Sequence, residues 1–256
     1  MIERDTNLSA TALRALQVLE IVAESNDAMT VSEIARRAEL DRATCYRMLR
    51  TVEQAGYIVR ESNTRNFKLS RKILSLAKHL LADDESHLLV SQTLKQISAA
   101  TGETCHYSEL DGDSTVLTLR CKGTQLVTVD FRIGERCLLH ATSVGKAILA
   151  FQDDQFKIDY LYRPLARFTE HTIIDPFALA EELDKIHRLR VSYDRYELAL
   201  GMKCVAVPIH GSNGAVQAGI SISGPDSRFT DERLFELGQT IGAHVDSLRR
   251  SLTGKA

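Results

Sequence analysis

The run at residues 30–69, TVSEIARRAELDRATCYRMLRTVEQAGYIVRESNTRNFKL, constrains the chain more than any other stretch, because its local signals leave few alternatives. Thr30 and Glu33 stand at capping-box spacing, and Val31, Ile34, Ala35 and Ala38 follow at helical intervals. Glu39 and Leu40 provide a turn. Asp41 can then cap a second helix reaching about Ala55, with Ala43, Met48, Leu49, Val52 and Ala55 facing inward and Arg42, Thr44, Tyr46, Arg47 and Arg50 facing solvent. Gly56 is suited to stop it. Tyr57–Arg60 and Asn66–Leu69 alternate as two short strands joined by the turn formers Ser62 to Arg65. Two helices across a tight turn, followed by a hairpin, have the outline of a winged helix-turn-helix, whose second helix lies in a DNA major groove.

Charge distribution agrees with that expectation. The whole chain carries a net charge of -2, but Arg36 to Lys72 holds ten basic residues against four acidic ones. This local surplus of six positive charges leaves the remainder acidic by eight. An island of this kind can hold phosphates at one face and repel DNA elsewhere. A charge run can also be merely a solvated face; here it coincides with the second helix and the hairpin.

At 256 residues, 44% hydrophobic and 26% charged, the chain is long enough for two modest domains with their own cores. No apolar run reaches the roughly 20 residues a bilayer span needs, and the start MIERDTN lacks a secretory pattern, so a cytoplasmic, membrane-free protein is expected. Cys45, Cys105, Cys121, Cys137 and Cys204 are scattered without C-x-x-C spacing, and no pair of the eight histidines has metal-ligand spacing. Reduced packing thiols, no metal and no cofactor are expected.

Ahead of the capping box, Ala12, Leu13, Leu16, Leu19, Ile21, Val22 and Ala23 form a broad apolar stripe, with Ser9 or Thr11 as possible caps. This predicts a first helix completing a three-helix core. The organisation expected is a DNA-binding domain at 1–69, a linker helix at 70–84 and a second domain at 85–256. In the latter, 86–102 reads as a helix and 103–123 as a hairpin turning at Asp111–Asp113. Further strands are expected at 125–134, 203–211 and 215–224, and helices at 144–151, 176–187 and 231–250. The fold class is therefore α+β.

The whole chain resembles the IclR family of bacterial transcriptional regulators. The resemblance rests on RALQVLEIV, the 31–58 run and FKLS in the first part. In the second it rests on Gly134, HATSVGKAILA at 140–150, Asp194, Glu197 and Gly201 leading into CVAVPI, and ISISGPDSRF at 220–229. It implies a winged helix-turn-helix, a connector helix and a GAF-like effector-binding domain, assembled as a homodimer or homotetramer. It also implies a sequence-specific regulator of a catabolic operon, a repressor in preference to an activator, controlled by a small carboxylic acid.

Arg42, Thr44, Tyr46 and Arg47 are expected to meet base edges or adjacent phosphates of the operator, and Arg50, Arg65 and Lys68 to hold phosphates. For the effector, Thr142, Ser143 and Val144 open a helix of small residues; amides and hydroxyls there suit an anion, although a well-capped helix on a sheet has the same signature. Ser221 and Ser223 alternate with Ile220 and Ile222, so both hydroxyls share one strand face. The resemblance adds Asp194 and Cys204 to this set. A carboxylate beside a carboxylate ligand must be protonated or accept a ligand hydroxyl, which favours a hydroxy- or keto-acid. Lys146 is expected to point to solvent, and Tyr160, Tyr162 and Phe168 to cover the pocket or pack in the core. Catalysis is not expected: Cys137 and His140 lack an orienting third group. A nucleotide sensor and a small enzyme with an accessory winged helix are the alternatives.

Overall fold

The computed structural model describes residues 8–77, 84–211 and 213–252. The chain divides into two compact units, Met1–Asp83 and Asp84–Ala256.

The first unit is built as its capping signals dictate. Helix α1 spans Ala10–Ala23 with Ser9 as cap, α2 spans Val31–Arg37, and α3 spans Arg42–Gln54 with Asp41 accepting from the Thr44 amide. Both halves of the Thr30–Glu33 capping box form. The turn between α2 and α3 places Glu39 at φ 53°, in the left-handed region. On α3 the buried stripe is Cys45, Leu49 and Val52, an i, i+4, i+7 set; Ala43 and Ala55, expected inward, are exposed. Strands β1 (Ile58–Arg60) and β2 (Phe67–Leu69) pair antiparallel as the wing, with Val59 opposite Lys68. Phe67 also bridges to Met29, tying the wing to the start of α2. On α1, Val18, Ile21 and Val22 enter the core, whereas Leu13 and Leu16 stay more than half exposed. The apolar stripe is wider than the core beneath it.

Of the connector expected at 70–84, Ile73–Ala77 is helical (α4) and Asp84 opens the next helix; residues 78–83 lie outside the described residues.

The second unit contains α5 (Asp84–Thr101), β3 (Cys105–Asp111), β4 (Ser114–Cys121), β5 (Arg136–Leu138), α6 (Ser143–Leu149), α7 (Asp154–Leu161), α8 (Pro176–Leu189), β6 (Ser192–Arg195), β7 (Met202–His210), β8 (Val216–Pro225) and α9 (Asp231–Leu252). Its strands form one antiparallel sheet in the order β5-β4-β3-β8-β7-β6. Helices α5 and α9 cover one face, burying Leu94, Ile97, Ile220, Ile222, Leu237 and Ile241 together. Helix α6 covers the other through Val144, Ala147 and Ile148 against Ala206 and Val216. Alternating residues of one strand therefore enter two different cores.

Residues 125–134 do not form the strand their alternation suggests. They cross the surface irregularly, with Leu126 fully exposed and Val127 and Ile133 more than 60% exposed, and the edge of β4 is taken instead by β5. Alternation without a face to bury does not make a strand. Helix α7 and strands β5 and β6 were not expected; each is short, and the 3-residue β5 is too brief for a periodic signal.

Helix α6 begins where the chain turns tightly. Thr142 accepts from the Gly145 amide at 3.0 Å, and a Cβ on Gly145 would stand 2.5 Å from the Leu139 carbonyl oxygen and 2.6 Å from its Cα. Since backbone must move to admit it, Gly145→Ala is expected to destabilise the protein by about 1–3 kcal/mol, read as a lower urea midpoint; an unchanged midpoint would mean that the turn has slack.

Candidate functional site

The outward face of α3 presents Arg42, Tyr46, Arg47 and Arg50, with Thr44 half-buried. Tyr46 is held by Arg60 of β1, whose guanidinium donates to its hydroxyl at 3.2 Å, lies 4.6 Å from the Phe67 ring centroid and pairs with Glu53 at 3.1 Å. Sequence reasoning overlooked this brace between recognition helix and wing. Arg47 donates to Thr44 at 3.1 Å, Arg50 pairs with Glu53 at 3.0 Å and Lys68 with Glu61 at 3.1 Å. Exposed pairs of this sort contribute about 0–1 kcal/mol, so phosphates can displace them. Arg65 occupies the wing tip at φ 59°. Lys72 is turned to a structural task, donating to the Ala55 carbonyl at 2.6 Å at the end of α3. The seven residues expected at DNA thus share one unit, on its helix and wing.

In the second unit, a cavity of about 40 Å³ lies between the sheet and the start of α6. Thr142, Ser143, Val144, Asp194, Cys204, Ser221 and Ser223 all line it. Ser221 and Ser223 are at most 5% exposed and occupy the α6 face of β8, opposite Ala206 and Cys204 of β7; Asp194 is in turn opposite Cys204. Side chains that sequence reasoning passed over complete the walls, above all His106 and Ser108 of β3, Thr115 of β4, and Phe131 with Glu135 from the irregular loop. A signal for the first two existed. They stand two apart on a strand, like Ser221 and Ser223, and His106 is the register partner of Ser221.

Among the described residues, no Lys or Arg lines the cavity. Its polar groups are nevertheless only partly satisfied by the protein. Oδ1 of Asp194 accepts from the Glu197 amide at 2.6 Å while its buried Oδ2 has no partner, and both ring nitrogens of His106 are buried without one. Leaving such groups unpaired costs about 1–3 kcal/mol each. Burial holds the His106 imidazole down at about 4, so it is neutral at pH 7.

Lys146, expected to face solvent, is fully buried. Its ammonium is 2.5 Å from Glu197 Oε1 and 3.7 Å from Glu182. The α6 helix is covered on all sides, so its lysine reaches these two carboxylates rather than water. Tyr160 packs in the core, whereas Tyr162 and Phe168 are exposed; none of the three lines the cavity.

No nucleophile is activated here. Burial pushes the Cys137 thiol up to about 11 and the Cys204 thiol well above its ordinary value. His140 is a structural pin, with its ring nitrogens bonded to the Tyr160 hydroxyl at 3.0 Å and the Ala166 carbonyl at 2.9 Å. All five cysteines are free, and among the described residues there is no cluster able to hold a metal and no helix long and apolar enough to cross a membrane.

A helix and wing exposing arginines define a DNA-binding protein of the winged helix-turn-helix class. Residues 11–62 match the model of the IclR helix-turn-helix domain, and residues 87–250 match that of the bacterial transcriptional regulator IclR C-terminal domain. The acetate operon repressor of Salmonella typhimurium is 30% identical over 89% of this chain and 84% of its own. Among solved structures, the IclR of Thermotoga maritima superposes with a TM-score of 0.77 at 29% identity, covering 95% of this chain and 98% of that one. An IclR homologue of Microbacterium hydrocarbonoxydans, complexed with 4-hydroxybenzoate, shares the fold at 22% identity, with a TM-score of 0.72 over 94% and 100% of the chains. The chain belongs to the IclR family and is a DNA-binding transcriptional regulator.

The cavity carries a measurable pH signature. Burial first, and then the charge of Glu197, raise the Asp194 carboxyl from 3.8 to about 7. Between about pH 4 and 7 the folded chain therefore retains a proton that the unfolded chain has lost, and the stability due to this group falls as pH rises through that window. His106 acts in the opposite direction, its depressed value making stability rise between about pH 4 and 6.5. Asp194→Asn removes the carboxyl titration, keeps an acceptor for the Glu197 amide, and leaves the His106 contribution in place. Relative to wild type, it should gain roughly 2–4 kcal/mol between pH 4 and 8. Urea unfolding of both proteins across that range checks this; a difference independent of pH would refute the assignment.

Proposed function

We propose that the protein represses a nearby catabolic operon and that a small carboxylic acid, bound in the cavity of the second unit, controls its hold on operator DNA. The single observation carrying the reading is the cavity itself. A buried space walled by Thr142, Ser143, Ser221 and Ser223 offers hydroxyl donors to a carboxylate, and unpaired groups on Asp194 and His106 offer bonds to the rest of a ligand. The absence of lysine and arginine from its lining among the described residues speaks against a nucleotide, whose phosphates call for cations or a glycine-rich cradle. The acetate operon repressor and the homologue complexed with 4-hydroxybenzoate support repression and an acid effector respectively.

In this reading residues 1–69 bind DNA, 70–84 connect and 85–256 sense. Arg42, Thr44, Tyr46 and Arg47 read base edges or nearby phosphates, while Arg50, Arg65 and Lys68 hold the backbone. Effector coupling of this kind is typically worth about 1–3 kcal/mol in operator affinity. The protein acts in the cytoplasm as a homo-oligomer, a dimer or a pair of dimers, with the exposed Leu13 and Leu16 of α1 as part of its contact.

Two variants separate the two activities. Arg47→Ala should weaken specific operator binding about 5- to 100-fold and leave acid binding unchanged. The double replacement of Ser221 and Ser223 by Ala should abolish the acid response and preserve operator affinity. Mobility shifts on the DNA flanking the gene, with and without two- to eight-carbon acids, measure both. Undiminished operator binding by the first variant, or an intact acid response in the second, overturns the corresponding assignment. Oligomerisation is checked by sedimentation, where joint Leu13→Glu and Leu16→Glu replacement should lower the mass at least to half; an unchanged mass rules the α1 contact out.

A further inference from the structure

His106 is the one side chain among the described residues with both ring nitrogens buried and unpartnered. It is 2% exposed, sits on the cavity face of β3, and meets the Phe131 ring edge-on with centroids 5.4 Å apart. The Phe131 ring offers it no hydrogen-bonding atom. Its register partner on β4, Arg120, is committed to Asp130 at 2.6 Å and to the Phe131 carbonyl at 3.0 Å. The protein thus places a neutral imidazole in the cavity wall and gives it nothing to bind.

A neutral imidazole presents one N–H and one bare nitrogen. The N–H can be satisfied by any oxygen, carboxylate or carbonyl alike. The bare nitrogen accepts a hydrogen bond and needs a donor. Asp194 Oδ2, also buried and unpartnered in the same cavity, is a second unmet group, an acceptor when the carboxyl is ionised and a donor when it is protonated. A carboxylate has no hydrogen to give, and its oxygens are already provided for by hydroxyls. Thr142, for example, accepts from the Gly145 amide and so keeps its own proton free to donate. At the bare nitrogen of His106 the unmet demand is for a donor.

We propose that His106 is a specificity-determining residue that reads a hydroxyl on the effector, selecting a hydroxy acid over the oxo acid or unsubstituted acid of the same carbon skeleton. This rests on the effector reading above and narrows it. A hydroxyl donates to the imidazole nitrogen and still accepts from a neighbour, whereas a carbonyl in its place leaves that nitrogen unpaired. Sites built around a ligand hydroxyl reject the analogue lacking it far more strongly than apolar pockets reject a missing methylene. The small volume favours short skeletons: about 40 Å³ corresponds to about three water positions.

The test is calorimetric titration of the full-length protein with matched sets of three acids. One set is lactate, pyruvate and propionate; a second is 2-hydroxybutyrate, 2-oxobutyrate and butyrate; a third is mandelate, phenylglyoxylate and phenylacetate. In a set that binds, the hydroxy member should bind at least about tenfold tighter than both partners. His106→Phe, which keeps a ring and removes both nitrogens, should reduce that ratio to below about threefold through weaker hydroxy-acid binding. His106→Asn, which keeps a donor and an acceptor, should retain a preference. Urea midpoints of both variants close to that of wild type show that they fold. Equal or tighter binding of an oxo or unsubstituted acid by wild type overturns the proposal while leaving the effector reading in place, and so does a preference that survives His106→Phe. Failure of every acid to bind wild type overturns both.

Discussion

The sheet of the second unit is covered by helices on both faces, and most of what is unusual about the molecule follows from that. A strand covered twice has no solvent side to hold its polar residues, so each hydroxyl, imidazole and carboxyl it carries must find a partner inside. On the face toward α5 and α9 the problem is slight, because that layer is mostly aliphatic and aromatic and its Tyr107 hydroxyl donates to Glu109. On the face toward α6 it is not. Ser221, Ser223, His106 and Asp194 converge there, and the protein leaves some of their bonding capacity unused. Natural cores seldom tolerate such a deficit without function, since apolar replacements of similar size would pack the same space at lower cost.

The Lys146–Glu197 pair shows how the same constraint is met where no ligand is involved. A buried ammonium is tolerable because Glu197 lies at 2.5 Å, and Glu197 is in turn close to Asp194, whose Oδ1 receives its amide. Charge, backbone and cavity wall are thereby joined. The ion pair need not add net stability, but removing either partner alone would strand a charge in the interior, typically a loss of about 3–5 kcal/mol. It fixes the segment after β6 against α6, and so fixes the position of Asp194.

What the sequence disclosed, and what it withheld, divides along the range of the interactions. The caps at Ser9, Thr30 and Asp41 are local and were legible from spacing alone. So was the alternation of serine with isoleucine on β8, since a period of two assigns faces without knowing the fold. Asp194 and Cys204 came from family resemblance, and nothing in their immediate surroundings announces them. His106 and Lys146 were missed for a common reason: their roles depend on register and on layers brought together from distant segments. For His106 the second layer is β8, for Lys146 the loop holding Glu197. The strand expected at 125–134 failed in the opposite way, its alternating pattern being real but its apolar residues having no surface to cover. Cys45 replaced Ala43 in the α3 stripe because the buried face is set by the helices packed on it, not by apolarity residue by residue.

The lack of lysine and arginine among the described residues of the cavity wall bears on how each unit responds to ionic strength. Each phosphate held by an arginine of α3 or the wing contributes counterion release, so affinity for DNA falls steeply with added salt. A ligand held by hydroxyls, an imidazole and a buried carboxyl draws on short-range bonds in a space from which mobile ions are excluded, where screening has little to act on. On the proposed reading, a rise in salt therefore loosens DNA binding while sparing the effector, and sensitivity to the signal is decoupled from the osmotic state that governs the hold on DNA.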